Sequence, residues 1–337
     1  MNVLDTLRTR AAAHPAHIVL SEGEDPRIIA AAAKAVEAGL GPITLVGPRS
    51  SIDEACQSLQ VQLSDDLRIA DPHTSPLAQG LAERFAALRA HKGVTLSDAQ
   101  QAVKDPLVFS AMMVRCGHAD GTVGGAVATT SDTVRAALQC IGKAPDADLV
   151  SSFFLMILPE GHPSGRAAMI FSDSGLVIDP NASELASIAE QAAGSYQALL
   201  AEAPKVALLS FSTKGSARHP NVTKVTDALS LLQEKRPDLS CDGELQFDAA
   251  FVPEVGAKKA PGSDVAGEAN VLIFPNLDAG NIGYKIAQRV SACIAIGPIL
   301  QGLAQPANDL SRGCSADDVF HMISVTTLQV AAAKGSA

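Results

Sequence analysis

The alternation of short apolar runs with amphipathic helical segments constrains the fold of this chain more than any other feature. Residues 17–48, HIVLSEGEDPRIIAAAAKAVEAGLGPITLVGP, contain a short apolar strand candidate, a turn, an amphipathic helical segment that ends at Gly39 and a second strand candidate from Ile43 to Val46. This order predicts a βαβ unit and hence a parallel sheet. Because the order recurs in residues 119–142, ADGTVGGAVATTSDTVRAALQCIG, we expect an α/β fold with helices on both faces of a sheet.

The length of 337 residues fits two domains better than one core. Beyond Asp148, two apolar strand candidates, Ser151 to Leu158 and Ala167 to Ser172, are joined by a loop of hairpin length. The chain ends in one helix of about four turns, which we expect to pack back onto the first domain. We therefore predict two α/β/α domains with a cleft between them, where a small-molecule site would lie. In this prediction, residues 1–148 plus 297–337 form the first domain, and residues 149–296 form the second domain, which is inserted in the first.

Three further apolar runs predict strands in the inserted domain, namely Val206 to Phe211, Gly243 to Phe247 and Val271 to Phe274. The segment GAKKAPGSDVAGEA, residues 256–269, is the least hydrophobic stretch of the chain, and we expect it to be a surface loop.

Charge and cysteine content exclude several classes of partner. The net charge is −10 and no basic run exceeds two residues, so nucleic acid and anionic membranes are not expected to bind. The six cysteines include no C-x-x-C pair, which is typical of free thiols in a reducing compartment. Neither a signal peptide nor an apolar run of membrane-spanning length is found, so we predict a cytoplasmic protein.

Motifs of several enzyme classes are missing from the sequence. There is no G-x-x-x-x-G-K-[ST], no complete G-x-G-x-x-G after a strand, no H-E-x-x-H and no G-x-S-x-G. The eight histidines form no pair at i, i+4 with acidic neighbours. We therefore expect no metal and no nucleotide cofactor.

The segment NDLSRGCSADD, residues 308–318, contains three aspartates, one arginine, two serines and a cysteine within eleven residues. Ser315 to Asp318 precede an apolar helical run and fit a capping box, so Asp318 has a structural explanation as a helix cap. Ser311 and Arg312 lie in a polar loop that leads into the helix N-terminus, where N–H groups and the helix dipole favour an anion. A forked guanidinium such as that of Arg312 suits phosphate or a developing oxyanion. Spacing alone leaves both interpretations open.

A similar arrangement occurs in GGAVATTSDTVRAAL, residues 124–138. Thr129, Thr130 and Ser131 supply hydroxyl groups at a helix start, and Arg135 lies on the same helical face as Ser131. An ordinary helix cap with a solvated arginine explains this pattern as well. A third polar segment, ALRAHKGVT, contains Arg89.

Several long blocks closely resemble the phosphate acetyltransferase (phosphotransacetylase) family, in order over nearly the whole chain. They are LRAHKG, TTSDTVRAALQCIG, SDSGLVIDPNASELASIA, GELQFDAAFVPEVGAKKAPGSDVAGEANVLIFPNLDAGNIGYKIAQRV and GPILQGLAQPANDLSRGCSADD. The resemblance implies the interconversion of acetyl-CoA plus phosphate with CoA plus acetyl phosphate. It also implies an isocitrate dehydrogenase-like architecture, coenzyme A as a substrate rather than a cofactor, and a homodimer.

The resemblance also assigns roles to residues. The family's catalytic serine, arginine and aspartate correspond to Ser311, Arg312 and Asp318, and two substrate-binding arginines correspond to Arg89 and Arg135. Resemblance and helix-start chemistry both favour Thr129, Thr130 and Ser131 as phosphate contacts. Tyr284 and Lys285 in NIGYKIAQRV are candidate substrate-lining residues from the second domain, although a helix with a solvated basic face explains them equally.

Mechanistic alternatives stay open. An ordinary Asp titrates at about 3.9 and a thiol at about 8.5, so Asp318 either has a raised pKa as base for the CoA thiol or mainly orients that thiol. Cys314, at a helix start that would lower a thiol pKa, is an alternative nucleophile, although we favour direct transfer in a ternary complex. A transferase for a longer, butyryl-type acyl chain and a non-catalytic acetyl-CoA-binding regulatory homologue are the alternative functions.

Overall fold

The computed structural model describes residues 2–335 and divides them into two units. The central unit comprises Asp146–Gly302 together with residues 2–3, and the terminal unit comprises residues 4–145 and 303–335. The sequence placed the boundaries at 148/149 and 296/297. The second observed boundary lies later because a strand at Ile294–Gln301 pairs with Ser151–Ile157 of the central unit. Met1, Ser336 and Ala337, the outermost residues of the predicted first domain, lie outside the described residues.

The strands, in chain order, are β1 (Ile18–Leu20), β2 (Ile43–Val46), β3 (Leu67–Ala70), β4 (Gly121–Gly124), β5 (Ser151–Ile157), β6 (Ala168–Ser172), β7 (Val206–Leu209), β8 (Cys241–Leu245), β9 (Val271–Ile273), β10 (Ile294–Gln301) and β11 (Ala307–Asp309). The helices are α1 (Val3–Ala13), α2 (Pro26–Glu37), α3 (Arg49–Ser58), α4 (Ala78–Arg89), α5 (Leu96–Ala102), α6 (Pro106–Arg115), α7 (Thr130–Cys140), α8 (Ala182–Leu200), α9 (Pro220–Lys235), α10 (Phe247–Phe251), α11 (Pro253–Lys259), α12 (Leu277–Val290) and α13 (Ala316–Ala333), with a 3₁₀ turn at Ala90–Lys92.

The sheet of the terminal unit is parallel, with the strand order β11-β4-β1-β2-β3. Val19 and Val46 pack into a core with residues of α4 to α6 on one face. On the other face, Gly121 approaches Thr326 of α13 so closely that an added Cβ would lie 2.9 Å from its methyl carbon. Helices therefore cover both faces, as predicted, and the carboxyl ends of β1, β4 and β11 lie along one edge.

The sheet of the central unit is mixed, with the order β10-β5-β6-β9-β7-β8. β5 pairs antiparallel with both β6 and β10, whereas β6, β9, β7 and β8 pair in parallel. The hairpin predicted from the two apolar runs after Asp148 is confirmed by the β5–β6 pairing.

The surface loop predicted for residues 256–269 is wrong in part. α11 takes up its first residues, and Ala260, Val265 and Ala269 are buried. Gly256 packs so closely on the backbone that a Cβ there would lie 2.6 Å from atoms of Ala266 and Gly267. Small residues therefore bring this segment into the core although its mean hydropathy is low.

The last helix, α13, has 18 residues, about five turns rather than four. It contacts α2, β1, β4 and β11 of the terminal unit, so the expectation that it packs back onto the first domain is confirmed. Among residues 2–335, no helix combines the length and the apolar character needed to cross a bilayer.

Candidate active site

The loops after β1, β4 and β11 meet at the carboxyl edge of the parallel sheet of the terminal unit. The Leu310 N–H donates to the Gly124 carbonyl at 2.8 Å, which extends the β11–β4 pairing beyond the strands. Gly125 has φ +97°, and a Cβ there would lie 2.2 Å from Oδ1 of Asp309. Only glycine fits this position, because a side chain would clash and would also strain the backbone. The segments that begin at Gly124 and at Asp309 are thereby held in direct contact.

Glu22 organises the loop after β4 from inside the protein. Its buried carboxylate accepts hydrogen bonds from the backbone N–H groups of Gly125, Ala126, Val127 and Ala128 at 2.6–3.1 Å. Consecutive N–H groups that converge in this way form an anion-binding concavity. The sequence indicated an external anion near this loop, but Glu22 occupies these four donors. The missed signal was an acidic residue two positions after the apolar run of β1.

The hydroxyl groups predicted at the start of α7 are exposed, as is Arg135. Thr129 is the N-cap, and its hydroxyl accepts from the Asp132 N–H at 3.2 Å. Arg135 donates to Asp132 at 2.7 Å and to the Ser131 hydroxyl at 3.1 Å. The Thr129 hydroxyl and the Arg135 guanidinium hold the pKa of the Asp132 carboxyl below its usual value. Thr129, Ser131 and Arg135 are therefore linked in one polar, solvent-facing group, and the exposed Thr130 lies next to them in the sequence.

Ser311 and Arg312 lie in an exposed turn between β11 and α13. The Cys314 N–H donates to the Ser311 carbonyl at 2.9 Å, and the Gly313 N–H donates to the Ser311 hydroxyl at 3.3 Å. Within residues 2–335, the Arg312 guanidinium makes no ion pair. A serine hydroxyl and an exposed cation are thus available to a ligand at this edge.

Asp318 closes a capping box at the start of α13, as its spacing predicts. The Ser315 N–H and hydroxyl both donate to Asp318 Oδ2 at 2.8 Å, and the Asp318 N–H donates to the Ser315 hydroxyl at 3.2 Å. The cap uses one carboxylate oxygen and fixes the side chain beside the Ser311 turn. A role for Asp318 toward the CoA thiol stays a prediction.

The expectation that the helix start lowers the pKa of Cys314 is wrong. The side chain is buried, and burial raises the pKa of its thiol, while the nearby Arg27 guanidinium opposes the shift only in part. Desolvation of the thiolate outweighs the helix start, so Cys314 lacks the depressed pKa of an activated nucleophile.

Asp309 is a buried carboxyl group at the end of β11 rather than part of an open polar loop. Within the described residues neither of its oxygens makes a well-formed hydrogen bond, although the Thr130 and Thr133 hydroxyls lie near enough to lower its pKa. Burial dominates and raises the pKa of Asp309 to about 6. Sequence spacing gave no sign that this acid faces inward.

Arg89 belongs to a different helix from Arg135. It is the last residue of α4 and is half-buried. Burial raises the pKa of the Cys140 thiol to about 12, and the positive charge of Arg89 opposes that shift. Cys140 ends α7, so the charge of Arg89 acts on this helix, which Thr130 begins.

Tyr284 and Lys285 belong to the central unit, on α12. The Tyr284 ring stacks on Phe154 with a centroid distance of 3.8 Å, and Lys285 lies 5.9 Å from the centre of the Tyr284 ring. The exposed face of α12 carries Ile282, Ile286 and Val290 besides basic residues, so it is not purely a solvated basic face. Among residues 2–335, no group of three or more His, Cys, Asp or Glu side chains is arranged to hold a metal ion.

The parallel sheet, with hydroxyl groups, exposed arginines and a helix start at its carboxyl edge, defines an α/β protein suited to small anionic substrates. Residues 2–327 match the family described as Phosphate acetyl/butaryl transferase. The chain belongs to this family. The phosphate acetyltransferase of Paracoccus denitrificans is 50% identical over 329 residues, 98% of this chain and 99% of that protein.

Solved structures agree with this assignment. A phosphotransacetylase from Streptococcus pyogenes has a TM-score of 0.90 at 42% identity and covers 97% of this chain and 98% of its own. The EutD phosphotransacetylase from Staphylococcus aureus has a TM-score of 0.89 at 41% identity, with the same coverage. The family resemblance identified from the sequence is confirmed.

Proposed function

We propose that this chain is a phosphate acetyltransferase, which moves an acetyl group reversibly between coenzyme A and inorganic phosphate. The observation that carries the proposal is the meeting of the Ser311 turn with the loop before α7 at one sheet edge, in a chain that belongs to the phosphate acetyl/butaryl transferase family. The relatives named phosphate acetyltransferase, at 43–50% identity, support the acetyl specificity over a longer acyl chain and over a non-catalytic homologue.

Transfer is proposed to occur directly in a ternary complex. The CoA sulfur attacks the carbonyl carbon of acetyl phosphate, a C–S bond forms, and the C–O bond to the phosphate breaks so that phosphate leaves. The thiol proton passes to Asp318, or Asp318 orients the thiol while nearby cations lower the thiol's pKa. The tetrahedral centre carries negative charge beside an anionic phosphate, so several cations and hydroxyl groups must converge on it.

Each candidate side chain has a chemistry that fits one of these roles. Ser311 and Arg312 would stabilise the oxyanion, and Arg89 and Arg135 would bind phosphate oxygens. Arg135 now pairs with Asp132, and because both side chains are exposed this ion pair is weak enough for a phosphate group to replace it. Thr129, Thr130 and Ser131 would add hydroxyl donors at the start of α7. Tyr284 and Lys285 would line the substrate site from the central unit.

Other expectations from the sequence remain proposals. The protein is expected to be a cytoplasmic homodimer, with an isocitrate dehydrogenase-like architecture and its site in a cleft between the two domains. It is expected to use coenzyme A as a substrate and to need no metal or other cofactor. Sedimentation of the purified protein tests the dimer, and comparison of acetyl with butyryl phosphate tests the acyl chain.

The test of function is an assay with acetyl phosphate and CoA in the presence of EDTA, which monitors thioester formation. We expect turnover without added metal or nucleotide, and Arg312→Ala to lower kcat by at least about tenfold at an unchanged circular dichroism spectrum. Strict dependence on Zn²⁺ or NAD would contradict the proposal. An Arg312→Ala variant with undiminished kcat would also contradict the proposal, because the turn would then only connect β11 to α13.

A further inference from the structure

Arg27 joins segments that lie up to 287 residues apart in the sequence. It is the second residue of α2, and one terminal nitrogen, Nη1, donates to the carbonyl oxygens of Arg312 at 2.8 Å and Cys314 at 3.0 Å. The other, Nη2, donates to the Ala126 carbonyl at 2.8 Å and to Asp25 Oδ2 at 2.7 Å. Nε donates to Asp25 Oδ1 at 3.0 Å.

These contacts use the whole donor capacity of the side chain. A guanidinium has five N–H groups, and each has an oxygen partner here. The paired Asp25 carboxylate raises the pKa of Arg27, and Asp25 is itself fixed because it caps α2 through the Arg27 N–H. Arg27 in this arrangement has no donor left for a phosphate group, which distinguishes it from the exposed Arg312.

The Ser311–Cys314 turn, which Arg27 contacts, is held by few other hydrogen bonds. Ser311, Arg312 and Gly313 are exposed, and within residues 2–335 the turn has only two hydrogen bonds of its own, both accepted by Ser311. The reaction rate depends strongly on the position of such groups, because a displacement of about 1 Å can lower the rate roughly a hundredfold. Arg27 donates hydrogen bonds both to the Ser311 turn and to the loop before α7.

We propose that Arg27 is a positioning residue that holds the Ser311–Cys314 turn against the loop before α7. The proposal rests on the function proposed above, and it assigns Arg27 no contact with substrate. Lysine cannot reproduce it, because an ammonium group has three donors and cannot bond five oxygens in the plane of a fork.

The experiment compares wild type with Arg27→Ala, Arg27→Lys and the matched control Arg236→Ala. Arg236 makes the same forked pair with an aspartate two residues away, Asp238, but lies in the central unit and bonds no part of the turn. We expect Arg27→Ala to lower kcat roughly tenfold to a hundredfold, with KM for CoA and acetyl phosphate within about twofold of wild type. Millimolar guanidinium chloride should restore part of the lost rate, and Arg27→Lys should fall between. Arg236→Ala should match wild type.

A second measurement does not depend on activity. Trypsin cleaves after Arg312, whose carbonyl Arg27 bonds, so Arg27→Ala should be cut at Arg312–Gly313 several times faster than wild type and Arg236→Ala. An inactive wild type would defeat the proposed function, yet this cleavage test would still decide the positioning role. Unchanged cleavage together with unchanged kcat overturns the proposal. A raised KM for acetyl phosphate at unchanged kcat also overturns it, since Arg27 would then be a substrate ligand.

Discussion

Asp309 shows what burial does to a single carboxyl group. Its pKa is raised to about 6 in the folded protein, against about 3.9 in the unfolded chain. The folded state therefore holds the proton more tightly, and this contribution to stability is present below about pH 4 and is lost as the pH rises through about 6. Asp309→Asn removes the ionised carboxyl group, so we expect it to raise the free energy of unfolding at pH 8 by up to about 3 kcal/mol.

The measurement is urea unfolding of Asp309→Asn and wild type at pH 5 and pH 8, with the exposed Asp227→Asn as the control. The gain from Asp309→Asn should appear at pH 8 and shrink at pH 5, whereas Asp227→Asn should change little at either. A loss of stability at pH 8 would mean that the ionised carboxylate has favourable partners and stabilises the fold.

Asp318 has two possible roles that one substitution can separate. Asp318→Asn keeps an oxygen that can accept the Ser315 N–H but removes the charge, so loss of a cap alone should cost about 1 kcal/mol and leave kcat unchanged. If Asp318 also handles the thiol proton, kcat should fall by about a hundredfold or more. We expect the fall in kcat.

The matched control is Asp98→Asn. Asp98 closes a capping box with Thr95 at the start of α5, with the same hydrogen bonds at similar distances. Thermal unfolding and steady-state assays of both variants separate the two effects. Equal small losses of stability with full activity in both would leave Asp318 as a cap only.

At the scale of elements, the loop between β4 and α7 depends on Glu22. A glutamine at this position would present an NH₂ group toward two of the four N–H donors, so Glu22→Gln should lower the free energy of unfolding by about 1–3 kcal/mol. The amides of Gly125 to Ala128 should also exchange hydrogen faster. Glu24→Gln, an exposed neighbour in the same segment, is the control and should change neither quantity. Unaltered exchange in Glu22→Gln would show that the loop keeps its shape without the carboxylate.

The elements themselves follow largely from the sequence. β2 spans Ile43–Val46, as predicted, and three of its four buried side chains are apolar, as a parallel strand covered on both faces requires. The capping box at Ser315 could be predicted from the sequence because a helix cap depends on residues close together in the chain. Local patterns could not show that Gly256 allows α11 to pack on the Gly267 backbone, because that contact depends on tertiary structure. For the same reason, the residues around Arg27, Arg312 and Cys314 in the sequence could not predict the bonds that Arg27 makes to the other two.

At the scale of the molecule, the route of acyl transfer is the property to test. Direct transfer predicts intersecting double-reciprocal lines for CoA and acetyl phosphate, and Cys314→Ala should retain most of the activity because the thiol is buried with a raised pKa. Initial-rate kinetics and exchange of labelled phosphate into acetyl phosphate are the measurements. Exchange without CoA, abolished in Cys314→Ala, would instead identify an acetyl-cysteine intermediate.

The division of the terminal unit into two stretches has a consequence for how the protein is made. β11, the Ser311 turn and α13 all lie beyond Gly302, so the ribosome produces them after every strand of the central unit. Domains tend to fold as units while the chain emerges, and the central unit is complete first. Until residues 303–335 arrive, β4 lacks its outer neighbour and one face of the sheet lacks α13. A nascent terminal unit therefore presents an unpaired strand edge and uncovered apolar surface, the features that recruit chaperones.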